Sequence, residues 1–314
     1  IEQYTIATTP KYNFPQPTTD TTLPQRLIEL SLHSLKHVQN QALQLNQQTI
    51  QQNNGSNTQN LQLKPQPIPL KPKHQETIVA AVDTSTIKIG ETTTGTLIAV
   101  RGANVWKQNK TYRYIRLGPF ILHATEENKR ELYNTLQNAY LNLQHEQNRQ
   151  NPPNLMQMPT RIANLLERWL QTTLSKTITN SLILFDGSLT SGTADTPTRS
   201  MKEILENARK RGNTVLAFSK MTNLRLNGRL ITDVPLEHKP PYLLETAGLK
   251  TRPPIVLLGD VYVAKLTNGN YAFRLDIDKE VPLERKIEAV EKLLGNDVLS
   301  QSYPETLRLA HILC

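Results

Sequence analysis

The residues of this 314-residue chain best suited to chemistry are two aspartates that each close an apolar run. Asp186 ends Ser181-Leu182-Ile183-Leu184-Phe185-Asp186 and is followed by Gly187-Ser188-Leu189. Asp83 ends Thr77-Ile78-Val79-Ala80-Ala81-Val82-Asp83 and is followed by Thr84-Ser85. Tyr271-Ala272-Phe273-Arg274-Leu275-Asp276 has a weaker version of the same form. An apolar run closing on a lone acid is the pattern of a buried central strand that delivers a carboxylate to its C-terminal edge. Burying an unpaired carboxylate is costly, so such an acid is exposed, paired or bound to metal. Carboxylates at adjacent strand ends suit hard divalent cations, Mg²⁺ or Mn²⁺. Two such ions clamp the attacking and leaving oxygens of a phosphodiester. Each aspartate taken singly fits a turn equally well, Asp-Gly being a common turn pair. The repetition of the pattern on strands expected to be neighbours favours the metal reading.

Other groups are weaker on their own. Glu167 sits at the edge of an apolar helical stripe beside Leu166 and Leu170, and its periodicity reads as a surface glutamate paired with Arg161 or Arg168. Glu203 and Glu206 stand among basic residues and read as solvated. His311, beside Leu309 and Ala310, reads as a packed helix histidine, with a metal-ligand or proton-handling role as the alternative. Tyr303 reads as ordinary packing. Lys202, Arg209, Lys210, Arg211, Lys220, Arg225 and Arg229 follow the Asp186 run at a density that suits phosphate contacts, although a solvated face is the commoner outcome. Lys220 directly follows an expected strand and is the best placed of them. With 5 Phe and 2 Trp, no stacking platform for single strands is evident. No GxxxxGK[ST] loop occurs, which argues against an ATPase.

The elements that must position these groups follow from periodicity and breakers. An irregular arm to Thr22 precedes a helix from Leu23 to about Gln52, carried by Leu23, Leu27, Ile28, Leu30, Leu35, Val38, Leu43 and Leu45 and packing one stripe. Residues 53–74 form a loop with a proline-rich stretch, Lys64 to Pro72. This places a boundary between residues 1–74 and a main domain, 75–314. Expected strands are Ile78–Val82, Gly95–Val100 and Tyr112–Leu117, antiparallel by their short connections. Helices from Thr125 to about Asn148 and Thr160 to Lys176 follow. Then come strand Leu182–Phe185, helix Arg199–Arg211 and strand Thr214–Phe218. Strands Ile255–Leu266 and Tyr271–Ile277 and helices from Pro282 and Pro304 complete the chain. Helical crossovers demand parallel pairing of the later strands. The predicted fold is an α/β mixed sheet flanked by helices in the ribonuclease H-like order, with an N-terminal helical extension. It sets Asp83 beside Asp186.

Composition narrows the partners. Lys+Arg is 36 against Asp+Glu 27, a net charge of +9, which favours a polyanion such as nucleic acid. Cys314 is the only cysteine, which excludes an intrachain disulfide framework and a cysteine-based zinc site and predicts a reducing cytoplasm. No signal peptide or membrane-spanning run is read. The chain opens on Ile1 rather than Met, as expected where the N-terminus is processed or lies upstream.

The motifs resemble those of the NurA nucleases, DNA-end-processing enzymes with a ribonuclease H-like core. The matching pieces are Ala81-Val82-Asp83-Thr84-Ser85, Leu184-Phe185-Asp186-Gly187-Ser188-Leu189, Phe218-Ser219-Lys220, Phe273-Arg274-Leu275-Asp276, Tyr303-Pro304 and Ala310-His311. Thr84 stands where that family usually has Gly. The resemblance implies that Asp83, Glu167, Asp186 and His311 hold metal and that Tyr303 shares the catalytic site, with Asp276 a weaker match. It implies a Mn²⁺-dependent (or Mg²⁺-dependent) 5′-to-3′ exonuclease and single-strand endonuclease with two ions per site. It further implies a homodimer docked on a hexameric HerA-type ATPase that feeds it DNA. Lys220, Arg225, Arg229, Arg209 and Lys210 would contact the DNA backbone. The alternatives are another ribonuclease H-like nuclease, such as a transposase or guided slicer, and a non-catalytic adaptor for DNA or an ATPase.

Overall fold

The computed structural model describes residues 22–38, 62–63, 66–141, 153–226, 229–233, 238–247, 249 and 251–314. The expected arm and the C-terminal part of the first expected helix lie outside these residues. Helix α1, Thr22–Val38, is followed by three long strands: β1 (Val79–Glu91), β2 (Gly95–Gln108) and β3 (Thr111–Thr125). Two helices follow, α2 (Lys129–Leu141) and α3 (Met158–Thr177). Next come β4 (Leu182–Asp186), α4 (Thr198–Lys210) and β5 (Thr214–Ser219). The chain ends with β6 (Tyr242–Ala247), β7 (Gly259–Lys265), β8 (Phe273–Asp278), α5 (Leu283–Asn296) and α6 (Glu305–Leu313).

One mixed sheet organises the chain, in the order β6-β7-β8-β5-β4-β1-β2-β3. The short segments Gln62–Leu63 and Ile68–Pro69 both pair with β6. β4 runs parallel to β1 and to β5, while the remaining neighbours are antiparallel. The parallel pairs are those joined through helices, as crossover connections require. This is the ribonuclease H-like architecture expected from the element order.

Successive side chains of a strand point to opposite faces, so apolar runs feed two cores. Ala80, Val82, Ile183, Phe185, Val215 and Ala217 lie under α1 to α4. Val79, Ala81, Leu182, Leu184, Leu216 and Phe218 lie under α5 and α6. That double burial is why the central strands read as continuous apolar runs rather than alternating ones. Gly102 on β2 allows α3 its close approach. A Cβ there would sit 2.7 Å from Leu170 Cδ1 and 3.2 Å from Leu166 Cδ2, the residues that bracket Glu167 in space.

Several expected bounds change. β1 does not stop at Val82 but continues to Glu91, because Thr84 to Ile89 is rich in β-branched residues and β2 stays paired with it. The strand ending at the site is therefore β4, and Asp83 lies inside β1 where β4 ends. α2 starts at Lys129, after a turn held reciprocally by Thr125 and Asn128. Thr125 Oγ1 accepts from Asn128 N–H at 3.1 Å, and Asn128 Oδ1 accepts from Thr125 N–H at 2.8 Å. The expected strand Ile255–Leu266 divides at Leu258: Val256–Leu257 pairs with Thr190–Ser191, and β7 joins the main sheet. Strand β6 was not expected at all. It is short and follows Pro240-Pro241, so it carried no periodic signal.

The apolar residues of α1 divide between two faces. Leu27 is buried against β3 with Ser31, whose Oγ accepts from Ile121 N–H at 2.7 Å, while Ile28 and Leu35 are exposed. Among the described residues, no helix is long and apolar enough to cross a membrane.

Candidate active site

The register between β1 and β4 builds the site. Val82 pairs with Phe185, so Asp83 and Asp186 occupy the next positions on adjacent strands. Neighbouring strands lie ~4.8 Å apart, which makes the two carboxylates direct neighbours. Beyond Asp186 the chain turns through Gly187 at φ +103°, the left-handed region that favours glycine, although an added Cβ would itself meet open space. Gly187 N–H donates to Phe218 O at 2.8 Å, and Ser219 Oγ donates to Gly187 O at 2.7 Å. Leu189 N–H donates to Asp276 Oδ2 at 3.0 Å. Farther on, Asp195 is buried and accepts from Tyr133 Oη, from Arg161 at 3.0 Å and from Asn164 at 3.1 Å. The segment after Asp186 is thus fixed at both ends.

Asp83 is almost fully buried. Thr84 N–H donates to its Oδ1 at 2.8 Å, and His311 Nδ1 lies 2.8 Å from its Oδ2. Burial pushes its carboxyl above the ordinary range, the His311 contact opposes that, and the Asp186 charge adds to it. An ionised carboxylate only accepts, so the Asp83–His311 contact places a proton on Nδ1 and leaves Nε2 toward solvent. Glu167 reaches the same place from α3. Its Oε1 accepts from Gln171 Nε2 at 2.7 Å, with Arg168 at 3.5 Å. Burial raises its carboxyl, Arg168 opposes, and both Asp83 and Asp186 raise it further. The helix glutamate that periodicity assigned to the surface therefore shares the field of the two strand aspartates.

Lys220 Nζ donates to Asp186 Oδ2 at 3.1 Å and lies 5.0 Å from the Tyr303 ring centroid. Tyr303 is buried between Phe218 and Phe273, and its hydroxyl finds no partner among the described residues. Burial, with Asp186 and Asp83 close by, pushes its phenol well above the ordinary value, so the hydroxyl stays protonated. A cleft of about 430 Å³ opens beside Asp186, lined by Gly187, Ser188, Ser219, Lys220 and Arg274 among others.

The structure thus brings together Asp83, Asp186, Glu167, His311, Tyr303 and Lys220. Asp276 stands behind them: it is fully buried, with Arg274 Nε and Nη2 each donating to it at 2.7 Å. Arg209 and Lys210 stand apart. Arg209 pairs with Asp278, which adjoins the start of β5 at the far end of the sheet, and Lys210 pairs with Glu206. Arg225 is exposed in a short strand that pairs with Arg229–Leu230, and the side chain of Arg229 lies outside the described residues. Sequence reading passed over Gln171, Arg274 and Cys314. Gln171 lies four positions from Glu167 and Cys314 three from His311, spacings that put each pair on one helix face.

Asp83 and Asp186 on adjacent strands, Glu167 within their field and His311 on Asp83 offer oxygen and nitrogen donors of the kind that suits a hard divalent cation, and the carboxyls of Asp83 and Glu167 are raised first by burial and then by their neighbours' charge. The raised carboxyls have a thermodynamic consequence. With folded values above unfolded ones, the native state holds extra protons, so stability present below the ordinary carboxylate range is lost as pH rises through the raised values. A cation that neutralises the cluster restores it. In a chelator, the melting temperature of wild type relative to Asp83→Asn is expected to fall as pH rises above the ordinary carboxylate range, and Mn²⁺ is expected to close that gap. Scanning calorimetry measures both; a wild type that gains on the variant as pH rises would contradict the assignment.

No protein-family model matches the sequence, and no curated protein matches it. Among solved structures, the chain is similar to the NurA nuclease from Sulfolobus solfataricus, with 17% identity and a TM-score of 0.47 over 78% of this chain and 81% of that one. It is also similar to a second NurA structure (10% identity, TM-score 0.40, 78% and 86% covered) and to the C-terminal lobe of a budding yeast Argonaute (10%, 0.30, 75% and 46%).

Proposed function

We propose that this protein is a metal-dependent nuclease that hydrolyses DNA phosphodiester bonds at the Asp83–Asp186–Glu167 cluster. The observation that carries the reading is the convergence of these carboxylates at one edge of the central sheet, with His311 hydrogen-bonded to Asp83. Asp83, Asp186, Glu167 and His311 would hold two divalent cations. When bound, these polarise the scissile phosphate and lower the pKa of the attacking water. The chain's own groups do the rest. His311, oriented through Nδ1 by Asp83, would present Nε2 to a cation. Lys220, paired with Asp186 at the cleft, is placed to donate to a phosphate oxygen of the backbone. Arg274 lines the same cleft and adds positive charge for the backbone. Tyr303 walls the site and keeps a protonated hydroxyl for donation.

The motif resemblance extends this reading. It supports Mn²⁺ as the working ion, exonuclease action from 5′ ends, endonuclease action on single strands, and a homodimer working with a HerA-type translocase in end resection and break repair. The test is direct. End-labelled duplex and single-stranded DNA are incubated with the protein in Mn²⁺, Mg²⁺ or EDTA. Hydrolysis with a divalent ion and none in EDTA is expected; intact DNA under every divalent ion would leave the adaptor reading in its place.

A further inference from the structure

The chain's only cysteine lies beside this site. Cys314 follows α6 three positions after His311, and that helix packs on β1. One donor atom each from Asp83, His311 and Cys314 falls within 4.8 Å of the other two. The thiol donates to His311 O at 3.3 Å and faces Asp83 and Ser85. His311 is exposed and Cys314 half-buried, so the group is open to solvent on one side.

Carboxylate, imidazole and thiolate are the donor types of tetrahedral zinc sites, and three protein ligands leave the fourth position to water. A hard ion such as Mg²⁺ has little use for sulfur. One cysteine cannot build a cysteine-only zinc site, but it completes a mixed one here.

We propose that Asp83, His311 and Cys314 form a site for a thiophilic divalent cation of the Zn²⁺ class, and that its occupancy withdraws Asp83 and His311 from the hard-cation cluster and stops cleavage. The second half rests on the nuclease reading; the first does not. Binding through Nδ1 shifts the imidazole proton to Nε2 and displaces the thiol proton to solvent, so affinity rises with pH. The metal's charge is then held by Asp83 and the thiolate, while Asp186 and Glu167 stay outside the site.

The test titrates the intact protein with Co²⁺, a spectroscopic stand-in for Zn²⁺. With a single cysteine, any thiolate-to-metal charge-transfer band comes from Cys314. The expected result is one equivalent of Co²⁺, a band displaced by Zn²⁺, loss of the band in Cys314→Ser, and at least about tenfold weaker binding in Asp83→Asn. In parallel, Zn²⁺ is expected to inhibit Mn²⁺-dependent cleavage, with the half-inhibiting concentration raised about tenfold in Cys314→Ser. A wild type without the band overturns the site, as does a band whose affinity ignores Asp83→Asn. A band with no inhibition overturns the regulatory half. A band in a protein that cleaves nothing under Mn²⁺ or Mg²⁺ removes the nuclease reading and leaves the site standing.

Discussion

Asp186→Ala is expected to lower divalent-ion-dependent DNA cleavage by at least about 10³-fold while the protein stays folded. The activity loss follows from position. β4 ends at Asp186, the next residue turns away at positive φ, and no neighbouring carboxylate can move into the vacated place without breaking the β1–β4 register. The stability effect is small for a separate reason. Asp186 is half-buried and, among the described residues, its ion pair is with Lys220, itself exposed. A pair of this kind contributes about 0–1 kcal/mol. Its removal also takes a negative charge away from Asp83 and Glu167, both of which it disfavours. The variant therefore melts close to wild type in a chelator, and it gains less from Mn²⁺. Single-turnover cleavage and thermal unfolding on the same preparation check both halves. Undiminished cleavage would end the active-site assignment.

The central strands were legible because they are buried on both faces. Leu182 to Phe185 feeds one core with Leu182 and Leu184 and the other with Ile183 and Phe185, leaving a run with no polar interruption until Asp186. What could not be read was length and register. β1 to β3 run for 13 to 15 residues each, well past the parallel strands, through segments whose polar and apolar residues alternate irregularly. Nothing local marks where pairing with β4 stops, so Asp83 was placed at a strand tip when it lies within β1.

The site divides along the same line. Asp83 and Asp186 were found because element order alone makes their strands neighbours. Glu167 and His311 were not readable from periodicity. Their partners lie on other elements, and His311 meets Asp83 across 228 positions of sequence. A helix glutamate at the edge of an apolar stripe and a histidine near a helix end have unremarkable patterns, and only tertiary packing brings them beside Asp83. The motif resemblance names both residues where periodicity does not. Lys220 was separable from the other basic residues because it follows β5 directly. Arg209, on α4, points to the opposite end of the sheet, where it answers the buried Asp278.

Asp276→Ala is expected to destabilise the protein by about 3–5 kcal/mol, because it leaves the mostly buried Arg274 guanidinium and the Leu189 N–H without their carboxylate. Asp276 is fully buried; Arg274 Nε and Nη2 each donate to it, and Leu189 N–H donates to it from the segment that follows Asp186. Its own carboxyl is pushed up by burial and held back by Arg274. All these contacts face inward from β8, two strands away from Asp186, so the residue acts as a positioning group for the Gly187–Leu189 turn and for Arg274 in the cleft. A loss of this size corresponds to a fall in melting temperature of roughly 5–8 °C for a chain this long. Asp276→Asn keeps an acceptor for Leu189 N–H and is expected to lose less. Cleavage assayed well below the transition should fall by far less than in Asp186→Ala, with Mn²⁺ affinity nearly retained. The opposite pattern, an unchanged melting temperature with collapsed Mn²⁺ affinity, would make Asp276 a metal ligand and move the centre of the site toward β8.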